Sequence, residues 1–469
     1  MNENDVGERV SSGGLSGLGL IMQLIGGVMS AIAGGYLAFI AVALLGRRGE
    51  MDDSQAQFVL WSSLVLLTSL NRSVAHSRLG AHLLYGGGRP PAAAQQTYLT
   101  AVAVQLGVVV TALVMNEAGI RWIGAVVLVL TSWPIALWLV ARPMVERLGA
   151  DGPTPADGGL DGASILMLVL SAAGIGVNAL ILIGVLKMPD EGASGLKLAM
   201  VFAIGLLSIR TTMQLRAGLR GARRADPAPT LAAAARYGNF GVPAGLLAGG
   251  GFAIALVDGM PDVPAAATMM VVTLVAMLTW MLLVWPTVIR RFARDRELRA
   301  LAMREPLCGH APDRGLPTLG WLLLALGVYS LATNLAAAAL GVYGAPGSRT
   351  GGAEIAQLGA AFGTPGEMSK WLGVVIAALQ VWAGYALIQL APTYRVAATV
   401  YGVAAGAAAL YTYRPLVDGL DDQGAAAIGD LSALVGLAMV SIALVLPVAT
   451  LLFVRRPLPA SQTGVEPVP

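Results

Sequence analysis

Long apolar runs alternate with short polar breaks along the whole chain. They lie near 18–45, 56–71, 98–116, 121–141, 163–186, 196–209, 238–257, 265–289, 318–343, 371–391, 396–413 and 430–454. Most are long enough to cross a hydrocarbon layer roughly 30 Å thick. In lipid a segment must satisfy its own backbone amides, so each run predicts a helix unless strands close into a barrel. Barrel strands would read as pieces of about ten residues with alternating polarity, whereas these runs are continuous. The pattern predicts an all-α integral membrane protein with about 12 transmembrane helices. The second and sixth runs are short. Each passes into a polar, arginine-bearing segment, NRSVAHSRLGAHLL from Asn71 and RTTMQLRAGLRGARR from Arg210.

Features of these runs recur. Pro134, Pro286 and Pro447 lie near the ends of the fourth, eighth and twelfth runs, each followed two helical turns later by Arg142, Arg294 or Arg455. Arg72, Arg78, Gly80 and Pro91 match Arg210, Arg216, Gly218 and Pro229 at one constant offset. Asp157, Gly159, Leu160 and Asn178 match Asp313, Gly315, Leu316 and Asn334 at another. The reading is three tandem four-helix modules, 17–157, 158–313 and 314–457, between a short polar tail at 1–16 and a disordered tail at 458–469. An even number of spans per module makes successive modules parallel, unlike the inverted repeats of many transporters. The third module departs from the others. Its counterpart of the arginine-bearing segment, GYALIQLAPTYRVAA, keeps only Arg395 as a basic residue, and it carries the longest outer loop, 344–370.

Charge adds orientation. Most of the 30 arginines and lysines fall after even-numbered runs or at the termini, and acidic residues such as Asp52, Asp53, Asp258 and Asp262 gather after odd-numbered runs. The positive-inside rule then places the even loops and both termini in the cytoplasm. The opening MNENDVGERV lacks the positive leader of a signal peptide, so the first run is expected to remain in the mature protein. Arginine far outnumbers lysine in this Ala- and Gly-rich chain, a bias expected of a GC-rich bacterial genome, and the expected location is the inner membrane of a bacterium. Only 12% of residues are charged, against about a quarter in a soluble domain. The basic residues flank spans, so no nucleic-acid partner is expected. The lipid bilayer is the expected partner, together with an unidentified protein.

Candidate chemistry is sparse. The prolines predict kinks, and the arginines about 12 Å further along the axis predict headgroup anchors that snorkel. Trp133 and Trp285 lie two turns inside those anchors, a depth that suits packing. Arg72 and Arg210 follow short apolar runs, and a charge inside a bundle marks a functional position. With Asn178 and Asn334 they form a candidate polar lining. The competing reading is that both segments continue as surface helices with basic faces on anionic lipid, Arg216, Arg220, Arg223 and Arg224 making that contact. Glycine and serine recur every four residues at Gly26, Ser30 and Gly34, at Gly241, Gly245 and Gly249, and at Gly402 and Gly406, a spacing that lets helix backbones approach closely.

His76 and His82 are six residues apart, not on one helix face, so no metal site is expected. The single cysteine, Cys308, cannot form an internal disulfide. No phosphate loop, zinc motif or serine elbow is present, and no catalytic residue or cofactor is assigned. The expected function is therefore a non-enzymatic scaffold, assembly or sensor protein whose basic cytoplasmic segments meet lipid or a partner. The alternative is a transporter or channel with a polar path between modules.

Overall fold

The structure is a computed structural model that describes residues 13–45, 51–85, 90–114, 118–148, 159–186, 194–258, 265–303, 313–339, 367–421 and 431–455. Asp157, Cys308, the tails beyond residues 13 and 455, and nearly all of the 344–370 loop lie outside the described residues.

Among the described residues the chain is helical, with no strand. The helices are α1 (Gly13–Leu45), α2 (Asp53–Tyr85), α3 (Ala92–Val114), α4 (Ala118–Leu148), α5 (Leu160–Leu186), α6 (Ser194–Ala222), α7 (Pro227–Asp258), α8 (Ala265–Met303), α9 (Leu316–Ala339), α10 (Glu367–Ile388), α11 (Tyr394–Asp421) and α12 (Leu431–Val454). Nine of those described are long and apolar enough to cross a membrane, and shorter apolar stretches run over Leu372–Ile388 and Val440–Val454. Large apolar side chains such as Leu60, Leu198, Ile254 and Leu452 face outward. A soluble fold would not tolerate so much exposed apolar surface. This is a helical, multi-pass membrane protein.

Local chemistry explains the helix ends. Asp52 caps α2, its Oδ1 accepting from the backbone N–H of Gln55 at 2.7 Å, the usual means of satisfying a free first-turn amide. Pro227 opens α7, where its missing N–H costs nothing. The end of α6 is closed by N–H bonds from Arg224 to the Gly221 carbonyl and from Ala225 to the Arg220 carbonyl. Leu390 and Ala391 make the same pair of bonds, to Leu387 and Ala386, after α10. Arg224 and Leu390 accordingly take the left-handed backbone, with φ of 55° and 47°, as this cap requires. Gly159 and Gly315, just ahead of α5 and α9, share φ values of 76° and 73°.

Three helices outrun their apolar stretches. α2 and α6 pass unbroken through Arg72 and Arg210, and α8 continues to Met303. Protein takes over from lipid at these ends: Leu79, Gly80, Leu83 and Leu84 of α2 are buried, and Ile289, Phe292 and Ala293 of α8 are buried too.

Neighbours in sequence pack on one another within α1–α4, α5–α8 and α9–α12. Further contacts join α1 to α8, α5 to α12 and α9 to α4, and α1, α5 and α9 also touch each other. The last three meet near their first turns. There Thr318 of α9, fully buried, occupies the space that the missing side chains of Gly17 on α1 and Gly162 on α5 leave. The densest core lies at this same end, with Leu15–Met22, Leu160–Met167 and Leu316–Ala325 largely buried.

The small-residue stripes are packing faces. Gly241, Gly245 and Gly249 of α7 lie against Pro286, Leu283 and Thr279 of α8. Gly402 and Gly406 of α11 lie against Leu451 and Leu444 of α12, and Gly26 of α1 meets Ser73 and Ser77 of α2. Gly34 departs from the pattern: a Cβ there would meet nothing within 4 Å.

Candidate functional site

The polar segment of α2 is buried on two sides. Arg72, Ser73 and His76 are each about 1% exposed; Ser73 and Gly80 lie against α1, and Arg72 and His76 turn to α3 and α4. The His76 ring lies 5.4 Å from the ring of Tyr98 on α3 and edge-on, at 5.9 Å, to Trp133 on α4. Tyr98 in turn stands edge-on to Trp138 at 6.2 Å and is close enough to Arg72 to interact with its charge. Arg72 Nε, both ring nitrogens of His76, the Tyr98 hydroxyl and Trp138 Nε1 are buried without a hydrogen-bond partner among the described residues. No ion pair to a carboxylate engages Arg72 among those residues.

Arg210 repeats part of this arrangement on α6. It is 9% exposed. Its aliphatic stem lies beside Gly241, and its Nη1 lies beside Gly245 of α7, where glycine leaves room for a guanidinium. Tyr237 of α7 stands next to it. Gln214, one turn further along α6, donates to the Met167 carbonyl of α5 at 3.1 Å. Arg210 Nη1, the Tyr237 hydroxyl and Trp285 Nε1 are buried without a hydrogen-bond partner among the described residues, as are Arg72 Nε, the Tyr98 hydroxyl and Trp138 Nε1.

The other members of the expected polar lining lie elsewhere. Asn178 is half-buried and donates through Nδ2 to Thr211 Oγ1 of α6 at 3.4 Å. Asn334, also half-buried, packs on Gly373 of α10. Each asparagine thus meets the helix that follows its own.

The arginine-rich end of α6 is divided. Arg216, Arg220 and Arg223 are exposed. Arg224 turns back instead, its Nη2 3.6 Å from Asp161 Oδ2 of α5; the left-handed cap redirects it, so it does not share the exposed face with the other three. Arg223, Arg224, Arg314 and Asp161, with Ile165, Ala222 and Phe453, line a surface notch of about 230 Å³. Pro134, Pro286 and Pro447 are buried within continuous helices, and Arg142, Arg294 and Arg455 two turns on are exposed. Arg142 pairs with Glu146 at 2.7 Å. Trp133 and Trp285 are buried, in keeping with packing.

Sequence reasoning passed over Tyr98, Tyr237 and Trp138, and considered His76 only as a metal ligand. The usable signal was recurrence: Tyr98, Tyr237 and Tyr401 occupy the early turns of α3, α7 and α11, and all three are buried. Among the described residues no cluster of metal-ligating side chains occurs.

What fold and site define together is a multi-pass helical membrane protein with buried guanidiniums and an exposed basic end. No family model, no curated protein and no solved structure matches this chain.

Proposed function

We propose that this chain is a non-enzymatic scaffold, assembly or sensor protein of a bacterial inner membrane. It crosses twelve times, with both termini in the cytoplasm, as three parallel four-helix modules in a ring. The ring is supported by the contact order, because α1–α8, α5–α12 and α9–α4 are one and the same contact when each module is advanced to the next. Close backbone approaches agree with it. Gly19 meets Gly80, Ser164 meets Gly218 and Gly320 meets Gly384, each between the first and second helix of a module.

The observation that carries the functional reading is the division of α6. Its inner face is locked to α5 by Gly218, Gly221 and Gln214, while Arg216 and Arg220, and Arg223 just past its end, project outward, Arg223 at the notch that holds Arg314. A rigid helix end presenting three arginines at the membrane surface offers about 1 kcal/mol of attraction per residue to anionic headgroups. The same face would suit an acidic partner.

The test is native mass spectrometry of the full-length protein released from nanodiscs of mixed zwitterionic and anionic lipid. Retained anionic lipid is expected, and the Arg216→Gln/Arg220→Gln/Arg223→Gln variant should lose it. Equal retention by both proteins would remove the lipid-contact reading.

Buried Arg72 and Arg210 favour the transporter reading as the second choice. Against it, both asparagines are engaged within helix pairs, and Thr318 fills the junction of α1, α5 and α9. Solute flux in proteoliposomes that disappears in Arg72→Met would reverse this ranking.

A further inference from the structure

We infer that the cluster around Arg72 is an intramembrane binding site for a small inorganic anion of halide size, held by Arg72 together with the Tyr98 hydroxyl and Trp138 Nε1. The inference is independent of the scaffold reading.

Three observations carry it. Arg72 is 1% exposed and has no carboxylate partner among the described residues. A guanidinium cannot shed its proton in a protein, and an uncompensated buried charge is among the costliest arrangements in a fold. Secondly, the polar atoms around it can act as donors. Arg72 Nε, Tyr98 OH and Trp138 Nε1 are all buried and unpartnered, and His76 supplies an N–H from one of its two unpartnered ring nitrogens. Unpartnered donors beside a buried cation favour an anion as occupant; Gln105 Oε1 of α3, whose amide donates to Ser69 Oγ three residues before Arg72, is an unpartnered acceptor on the same helix pair. Thirdly, the site is enclosed. His76, Tyr98 and Trp138 are each nearly inaccessible, so a phosphate ester or a lipid headgroup would not fit.

An open recess of about 280 Å³ lies on the same helix pair, lined by Ala75, Arg78, His82 and Thr97 of α2 and α3. Arg72, His76, Tyr98 and Trp138 are not among its lining residues. An exposed arginine, Arg78, stands in it.

The experiment uses the full-length protein in detergent, with bromide as the probe and gluconate as the control at equal ionic strength. Bromide should raise the unfolding midpoint saturably in the wild type, because a ligand that binds only the folded state stabilises it by mass action. Arg72→Met should abolish the bromide dependence while leaving the midpoint in gluconate as high or higher, since the variant no longer buries a bare charge. A purely structural arginine would lower the gluconate midpoint and leave the bromide effect intact. Tyr98→Phe keeps the packing and removes one donor, so it should raise the half-saturating bromide concentration about tenfold. That variant decides the matter should Arg72→Met not fold. No bromide effect in the wild type, or an undiminished effect in both variants, overturns the assignment.

Discussion

Gly320 of α9 and Gly384 of α10 meet backbone to backbone: a Cβ on Gly384 would come within 2.8 Å of the Gly320 carbonyl oxygen and 2.6 Å of the Leu324 amide nitrogen. Neither neighbour is a side chain that could swing away. Helix association in lipid draws on packing and not on the hydrophobic effect, so lost contact here has no easy replacement. Gly384→Ala should lower the unfolding free energy of the detergent-solubilised protein by about 1–3 kcal/mol. Gly34→Ala is the control, with open space around its Cβ; it should be neutral or slightly stabilising. Similar losses from both variants would mean that helix propensity, and not the close approach, had been measured.

Gly315 is constrained twice. Its φ is 73°, and an added Cβ would lie 2.9 Å from backbone atoms of Asp161 and Gly162. The left-handed backbone alone costs an L-residue roughly 1–2 kcal/mol, and the collision adds to it. Gly315→Ala should therefore destabilise more than Gly384→Ala, measured by the same unfolding assay. An equal or smaller effect would show that the turn ahead of α9 relaxes.

The all-helical, multi-pass character was legible in the sequence, because apolar run length responds to the same lipid thickness that selects the helices. The ends were less legible. Hydropathy placed the end of the second span at 71, but α2 continues to Tyr85, since Leu79, Leu83 and Leu84 exchange lipid for protein. An apolar window cannot distinguish a helix that leaves the membrane from one that leaves the lipid. That same blindness left Arg72 undecided between a lipid face and a cavity. Arg216, Arg220 and Arg223 were legible as an exposed face by composition and period. Arg224 was not, because its direction is set by one left-handed residue at a helix cap. The cluster around His76 joins three helices; recurrence of Tyr98, Tyr237 and Tyr401 was a signal for its tyrosine, but a single sequence shows none for the meeting of that ring with His76 and Trp138.

Asn178 offers a measure of the polar contacts between helices. It spans α5 and α6 through one 3.4 Å hydrogen bond to Thr211, and such bonds in membranes average about 0.6 kcal/mol. Asn178→Leu should change stability by no more than about that amount. Should the residue line a hydrated path instead, its removal would alter solute flux and leave the unfolding midpoint untouched.

The exposed pair Arg142–Glu146 should be nearly silent. Both side chains are more than half exposed, and solvated i,i+4 pairs contribute about 0.3–0.5 kcal/mol. Glu146→Gln is expected to leave the unfolding midpoint within error at physiological salt. A loss above about 1 kcal/mol would place this end of α4 in a drier setting than the headgroup region.

Orientation is testable along a single helix. α6 runs from Ser194 to Ala222, 29 residues, or about 43 Å at 1.5 Å per residue, enough to cross the bilayer once. Its first end carries little positive charge, while its last turns carry Arg216 and Arg220, which the positive-inside rule assigns to the cytoplasm. Gly195 is exposed with no atom within 4 Å of an added Cβ, so a cysteine fits there without strain; Arg223 is exposed at the other end. In a Cys308→Ser background, Gly195→Cys should react with a membrane-impermeant maleimide on intact cells. Arg223→Cys should react only after permeabilisation. The reverse pattern would invert the whole topology, because every other crossing is tied to this one by alternation. Labelling of both from outside would mean that α6 lies along the surface, and the arginines on its exposed face would then meet the outer leaflet instead of the cytoplasmic one.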